Sequence, residues 1–269
     1  MSSLIDAHCH LDLAAFDADR DEAIRRAQDV GVGHFVVPGT TRARWGGVLA
    51  LGRRADVSVC LGLHPYFMAQ HRLDRPAGHG RANDDDLAAL EIALDQHPEV
   101  VALGECGIDA RFKDSWADQW RLFDAQLRLA KARDLPVVVH CVQANDEVAK
   151  RLRQLALPRG GLIHAFAGSP QQASRFLDLG YLLGLGGAVT FERAARLRRT
   201  VASLPDDGFV LETDSPDMPL SGHQGSRNEP ARVAEVCREV ARLRDVCEDA
   251  VAKASSATAR RLFRLNPGE

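Results

Sequence analysis

Eight times along this chain a short apolar run rich in Val, Ile and Leu is followed by a stretch of helical hydrophobic period, and that alternation constrains the fold more than any other feature. The runs fall at 4–9, 34–38, 57–63, 100–105, 136–140, 161–165, 181–186 and 209–213. Helical patterns follow near 19–30, 42–55, 84–96, 115–133, 146–156, 170–179, 193–203 and 230–242, with a last one near 248–265. Repeated β-then-α units build parallel sheets. Eight of them in 269 residues predict an α/β fold, a (β/α)8 TIM barrel, with an open doubly wound sheet as the alternative. No Pro/Gly/Ser-rich linker interrupts the pattern, so a single domain over 1–269 is expected.

With 34 Lys and Arg against 37 Asp and Glu, the formal charge of −3 excludes a global basic field for nucleic acid or anionic lipid, so any such contact must be local. No apolar run approaches the roughly 18 residues of a membrane helix, and the start MSSLIDAHCHLD lacks the basic and apolar regions of a signal peptide. No membrane association and a cytoplasmic location are expected, and nothing points to an obligate protein partner. The six cysteines form no CxxC pair, which predicts free thiols.

Polar residues gather where the apolar runs end. The first run closes in Asp6-Ala7-His8-Cys9-His10, and strand alternation predicts that Asp6, His8 and His10 share one face while Ala7 and Cys9 share the other. Glu105, His140, His164 and Asp214 close the fourth, fifth, sixth and eighth runs. Barrel packing alone would fill such positions with apolar or small side chains. Four histidines and two carboxylates at one mouth instead predict a site for a borderline divalent metal such as Zn²⁺ or Mn²⁺, with enough donors for two ions, Glu105 bridging them and a bound water activated to hydroxide.

Cys9, Cys106 and Cys141 adjoin these donors but should face the helix layer as small buried hydrophobes. Asp6 and Glu212 should lie one layer deeper and orient imidazoles. His64, in Gly-Leu-His-Pro, is placed either to meet an anionic leaving group as a proton donor or to cap its loop. Phe112, Trp116 and Trp120 offer stacking surface, although Trp120 and Phe123 fit a core-facing helix stripe. The long connections 65–83 and 215–229 should wall the mouth.

Taken together, DAHCHLD, GLHP, GECGID, VVVHC, HAFAGS, LETDSP and RNEP resemble the TatD-type deoxyribonuclease family of metal-dependent hydrolases in the amidohydrolase superfamily. GYLLGLGGAVTF and DMPLSGHQG are similar to a bacterial subgroup. The resemblance implies a metal-binding barrel with magnesium-dependent DNase and 3′–5′ exonuclease activity on DNA and RNA. It assigns His8 and His10 to the first ligand pair, Glu105 to the bridge, and His140 and His164 to the second metal. Asp214 becomes a ligand that also takes the proton of the attacking water, and His64 the substrate-side histidine.

One departure stands out. Where many relatives carry an arginine two residues after the strand-five histidine, this chain has Val142. Arg193, Arg196, Arg198, Arg199 or Arg227 would have to compensate.

The expected function is therefore metal-dependent phosphodiester hydrolysis, as a deoxyribonuclease acting on single strands, frayed ends or a smaller phosphodiester. Hydrolysis of a small amide, ester or lactone is the alternative, since the same mouth would polarise a carbonyl. A metal-stabilised binding protein is the non-enzymatic alternative.

Overall fold

The computed structural model describes residues 3–73 and 85–265. Its eight parallel strands lie in chain order: β1 (Leu4–Asp6), β2 (Val32–Pro38), β3 (Val57–Leu61), β4 (Val100–Asp109), β5 (Val137–Val142), β6 (Gly161–Ile163), β7 (Tyr181–Leu185) and β8 (Phe209–Leu211). Parallel neighbours need crossover connections. These are supplied by α1 (Arg20–Asp29), α2 (Trp45–Leu51), α3 (Asp86–Gln96), α4 (Trp116–Ala132), α5 (Asn145–Leu155), α6 (Pro170–Asp178) and α7 (Ala195–Ala202), with α8 (Val233–Arg244) and α9 (Glu248–Phe263) after β8.

An open doubly wound sheet would leave β1 and β8 apart; here they meet. The Ala7 amide donates to the Leu211 carbonyl at 3.0 Å and the Asp214 amide to the His8 carbonyl at 2.9 Å, which brings the sheet round to a barrel. The helices form where capping chemistry and apolar period agree. At α6, Ser169 and Gln172 cap each other reciprocally and Pro170 occupies the first turn, where a missing amide hydrogen costs nothing.

Alternation along the strands sorts side chains into two layers. Ile5, Val36, Cys60, Ala102, Val138, Leu162 and Val210, one from each of seven strands, fill the barrel interior, with Ala259, Leu262 and Phe263 of α9 packed on them. The opposite strand faces join the helix stripes in the larger core. Cys9 and Cys106 lie in that outer core and Cys141 packs against it, as expected. All six cysteines are free.

Seven of the eight strand ends differ from the expected bounds, and the two largest departures matter to the site. β1 ends at Asp6, before the histidines. β4 continues to Asp109 and carries one extra residue against β5: Leu103 pairs with Val137, but Cys106 pairs with Val139. A bulge of this kind re-aims the side chains that follow it. Gly104 sits at the bulge, where a Cβ would stand 2.6 Å from that of Val138, so only glycine lets the strands approach so closely. Of the two long connections, residues 65–70 form a short helical turn, and the remainder of the first from 74 lies outside the described residues.

Candidate metal centre

At the C-terminal mouth of the barrel one carboxylate is ringed by five imidazoles. Glu105, re-aimed inward by the bulge and 1% exposed, presents Oε2 to His8 Nε2 at 3.2 Å and to His10 Nε2 at 3.4 Å. Its Oε1 meets His64 Nε2 at 2.8 Å, His140 Nδ1 at 3.0 Å and His164 Nε2 at 3.2 Å. Asp214 Oδ1 closes the first group, 3.4 Å from both His8 and His10. The six expected donors are thus brought together, and His64 joins them.

These contacts have the character of a cation site. The Nε2 atoms of His8 and His10 face each other at 3.3 Å, and Glu105 Oε2 is buried with no hydrogen-bond partner among the described residues. A buried carboxylate oxygen left this way costs free energy unless a positive centre meets it. Donor pairs 3.2–3.4 Å apart are spaced as around an ion with bonds of about 2.0–2.1 Å. The residues present therefore fit a divalent metal.

Electrostatics agree. Burial opposes charge on Glu105, but the rings of His64, His164 and His8 hold its carboxyl well below the usual carboxylate range. Burial opposes charge on Asp214 as well, and His164, His10 and His8 bring it down to about 2. Burial should also neutralise His10 and His164, yet the facing carboxylates raise both rings well above the usual histidine value. A field that holds protons on buried imidazoles will hold a metal cation in their place.

His64 is more constrained than the sequence suggested. Its Nδ1 accepts the Tyr66 amide at 2.9 Å, capping the 65–70 turn, so the ring proton sits on Nε2 and is donated to Glu105. Burial brings this histidine down to about 4. Both the loop-capping and the site-facing readings are met by one ring.

A further shell of carboxylates holds the rings. Glu212 Oε1 lies 3.4 Å from His164 Nδ1 and accepts the Ala165 amide, as the expected orienting group. A Cβ on Gly184 of β7 would stand 2.3 Å from Glu212 Oε2, so the bare backbone there makes room for that carboxylate. Asp6 departs from expectation: because β1 ends before the histidines, its oxygens accept the Thr213 amide at 2.9 Å and the Thr213 hydroxyl at 2.6 Å, and it fastens the barrel seam instead of orienting a ring.

Sequence reasoning missed two residues. Asp109 is fully buried, with Oδ2 3.2 Å from His140 Nε2, and it also receives the Arg111 guanidinium. Its position four residues after Glu105 was the available signal. Asn228, inside RNEP, donates to the carbonyls of Thr213 and Asp217 and ties the 215–229 loop to the end of β8.

Most of the arginines expected to face substrate are otherwise engaged. Arg227 pairs with Asp19 and Glu229 and lies over Phe16; Arg198 pairs with Glu239. Arg196 reaches the Ala167 carbonyl, and Arg193 lies over Phe191. Trp116 and Trp120 pack against the core, whereas Phe112 remains exposed.

The family model described as TatD related DNase matches residues 5–264. An Escherichia coli protein described as an uncharacterized metal-dependent hydrolase is 41% identical over 254 residues, covering 93% of each chain. A Cronobacter turicensis protein described as a 3′-5′ ssDNA/RNA exonuclease is 35% identical over 272 residues, covering 98% of each. The crystal structure of an Escherichia coli TatD homolog superposes with a TM-score of 0.90 at 40% identity, covering 98% of each chain.

Proposed function

The chain belongs to the TatD-related DNase family, and on that footing we propose that this metal-dependent hydrolase cleaves phosphodiester bonds at the ends of single-stranded or frayed DNA, and of RNA, in the 3′–5′ direction. The observation that carries the reading is the division of the donors between the two oxygens of Glu105, with His8, His10 and Asp214 on one side and His64, His140 and His164 on the other.

Two divalent ions, Mg²⁺, Mn²⁺ or Zn²⁺, would be held there. His8, His10 and Asp214 would hold the first and His140 and His164 the second, with Glu105 within reach of both sets. When bound, such ions supply Lewis-acid stabilisation of charge developing on phosphoryl oxygens and lower the pKa of water. Asp214, ionised at neutral pH and 16% exposed in its side chain, takes the proton of the attacking water. His64 offers its Nε2–H, held by Glu105 in the free site, to an oxygen of the substrate. Glu212 and Asp109 keep the rings of His164 and His140 turned inward.

Support for a nucleic-acid substrate comes from the family and from exonuclease relatives such as the 35% identical protein. Support for a small amide, ester or lactone comes from Val142, which leaves the end of β5 without a cation.

The deciding experiment incubates the metal-loaded enzyme with a linear single strand labelled at either end, with its covalently closed circle, and with a panel of amides, esters and lactones. Stepwise loss of the 3′ label with an intact circle is expected. Rapid cutting of the circle would refute action from ends, and turnover confined to the small-molecule panel would refute phosphodiester hydrolysis.

A further inference from the structure

From the geometry at the edge of the mouth we infer that Arg111, Tyr66 and Phe112 form a subsite for one nucleotide of a single-stranded end, its phosphate on Arg111 and its base against the two aromatic rings. The inference rests on the phosphodiesterase reading and supplies its missing contact.

The β4–β5 register sets Asp109 opposite Val142, and the Ala110 amide donates to the Val142 carbonyl at 3.0 Å. A cation absent from the end of β5 is therefore available one strand away. Arg111 is fixed there by two parallel hydrogen bonds, Nε to Asp109 Oδ1 at 2.9 Å and Nη2 to Asp109 Oδ2 at 2.5 Å. Asp109 Oδ2 in turn lies 3.2 Å from His140, so the guanidinium is one carboxylate removed from the donor cluster. Among the described residues Nη1 has no hydrogen-bond partner, and 54% of the side chain faces solvent. A guanidinium pinned along one edge presents the other without further loss of rotamer freedom, which suits a tetrahedral oxyanion.

The rings beside it are exposed. Tyr66 is 57% and Phe112 38% exposed; their centroids are 5.3 Å apart at 87°, and the Arg111 guanidinium lies 5.7 Å from the Phe112 centroid. Tyr66 is tied to the site through its amide on His64. Exposed aromatic faces next to a fixed cation are the chemistry by which single strands are held, since every base has a face to stack.

The test is binding of a 5′-fluorescein phosphorothioate oligothymidylate to the metal-loaded protein across a salt series. Arg111→Ala should raise Kd about tenfold. It should also lower the slope of log Kd against log salt by about 0.7, the share of one phosphate on a single strand. Arg111→Lys should recover the slope but only part of the affinity. Tyr66→Ala with Phe112→Ala should raise Kd about tenfold with the slope unchanged. Arg121→Ala, on the outer face of α4, removes the same charge and should change neither. An Arg111→Ala protein that loses metal but keeps the wild-type slope would show that Arg111 acts only through Asp109, and would overturn the subsite, as would unaltered affinity in the aromatic double variant. A wild-type protein that binds the strand with the expected slope but cuts no phosphodiester would overturn the proposed activity while upholding the subsite; no measurable wild-type binding would overturn the subsite itself.

Discussion

The carboxylate of Asp6 and the hydroxyl of Thr213 lie 2.6 Å apart across the seam where the first and last strands meet, both fully buried. Burial pushes Asp6 up to about 8, with the hydrogen bonds from Thr213 opposing it. An acid raised in the folded state contributes stability fully present below its unfolded value near 3.8, and this is lost as pH rises through the folded value. Wild-type stability should therefore fall between pH 4 and 8 relative to Asp6→Asn, in which nothing titrates. Asp6→Ala, which strands two buried donors, should cost about 3 kcal/mol in urea unfolding, and Asp6→Asn about 1 kcal/mol. Parallel pH profiles for wild type and Asp6→Asn would show that burial does not govern this group.

Glu105→Ala should be the most damaging single change at the mouth, because it removes the group touched by five rings. Loss of several kcal/mol of charge stabilisation corresponds to roughly a thousandfold in kcat. Asp214→Ala should be comparable, and His140→Ala or His164→Ala milder. Steady-state rates at saturating metal, with elemental analysis of each variant, check the ranking.

Protons and metal should compete for the same imidazoles. Burial notwithstanding, His10, His140 and His164 are raised by the carboxylates that face them, so each must lose a proton before it can ligate. Metal affinity should strengthen as pH rises, with proton release on binding. Calorimetric titration in buffers of different ionisation enthalpy measures that release; a binding enthalpy independent of buffer would contradict it.

Glu212→Gln and Asp109→Asn change groups that face the rings of His164 and His140, Asp109 also holding Arg111, so each should weaken metal binding by about 10–100-fold while leaving the fold in place. Competition with a chromogenic chelator reads the affinity, and circular dichroism the fold.

The ion pairs of Asp19 should matter at neutral pH and fade in acid. Hydrogen bonds from Arg227 and Arg26 hold its carboxyl below the usual range. A depressed acid contributes stability present above its unfolded value near 3.8 and lost as pH falls. Arg227→Ala should therefore lower Tm at pH 6 more than at pH 3, and equal losses at both would sink the assignment.

The barrel and most of its mouth were legible in the sequence because β5, β6 and β8 keep strict alternation. Val138 leads inward to His140, Leu162 to His164, and Val210 through Glu212 to Asp214. Two donors obey no such count. From the inward Ala102, alternation would turn Glu105 toward the helices, and only the extra residue before Cys106 reverses it. On β1, Ala7 packs with the inner layer and His8 also faces the mouth, so the alternation expected from Asp6 to His10 is broken where the strand ends. Those breaks depend on pairing with neighbouring strands, which no local pattern encodes. Asp109 escaped notice for the same reason: it acquires its meaning from His140, on another strand.

Gly184 and Glu212 constrain each other. An alanine at 184 would drive its methyl group against the Glu212 carboxylate, displacing the acceptor of the Ala165 amide and the neighbour of His164 together. What the methyl group would meet is the far end of a side chain and not backbone, so it can enter β7 if the Glu212 carboxylate moves aside, and His164 then loses the neighbour on its Nδ1 side. The two positions are therefore coupled, and a change at 184 would be felt at the mouth of the barrel through the carboxylate of residue 212.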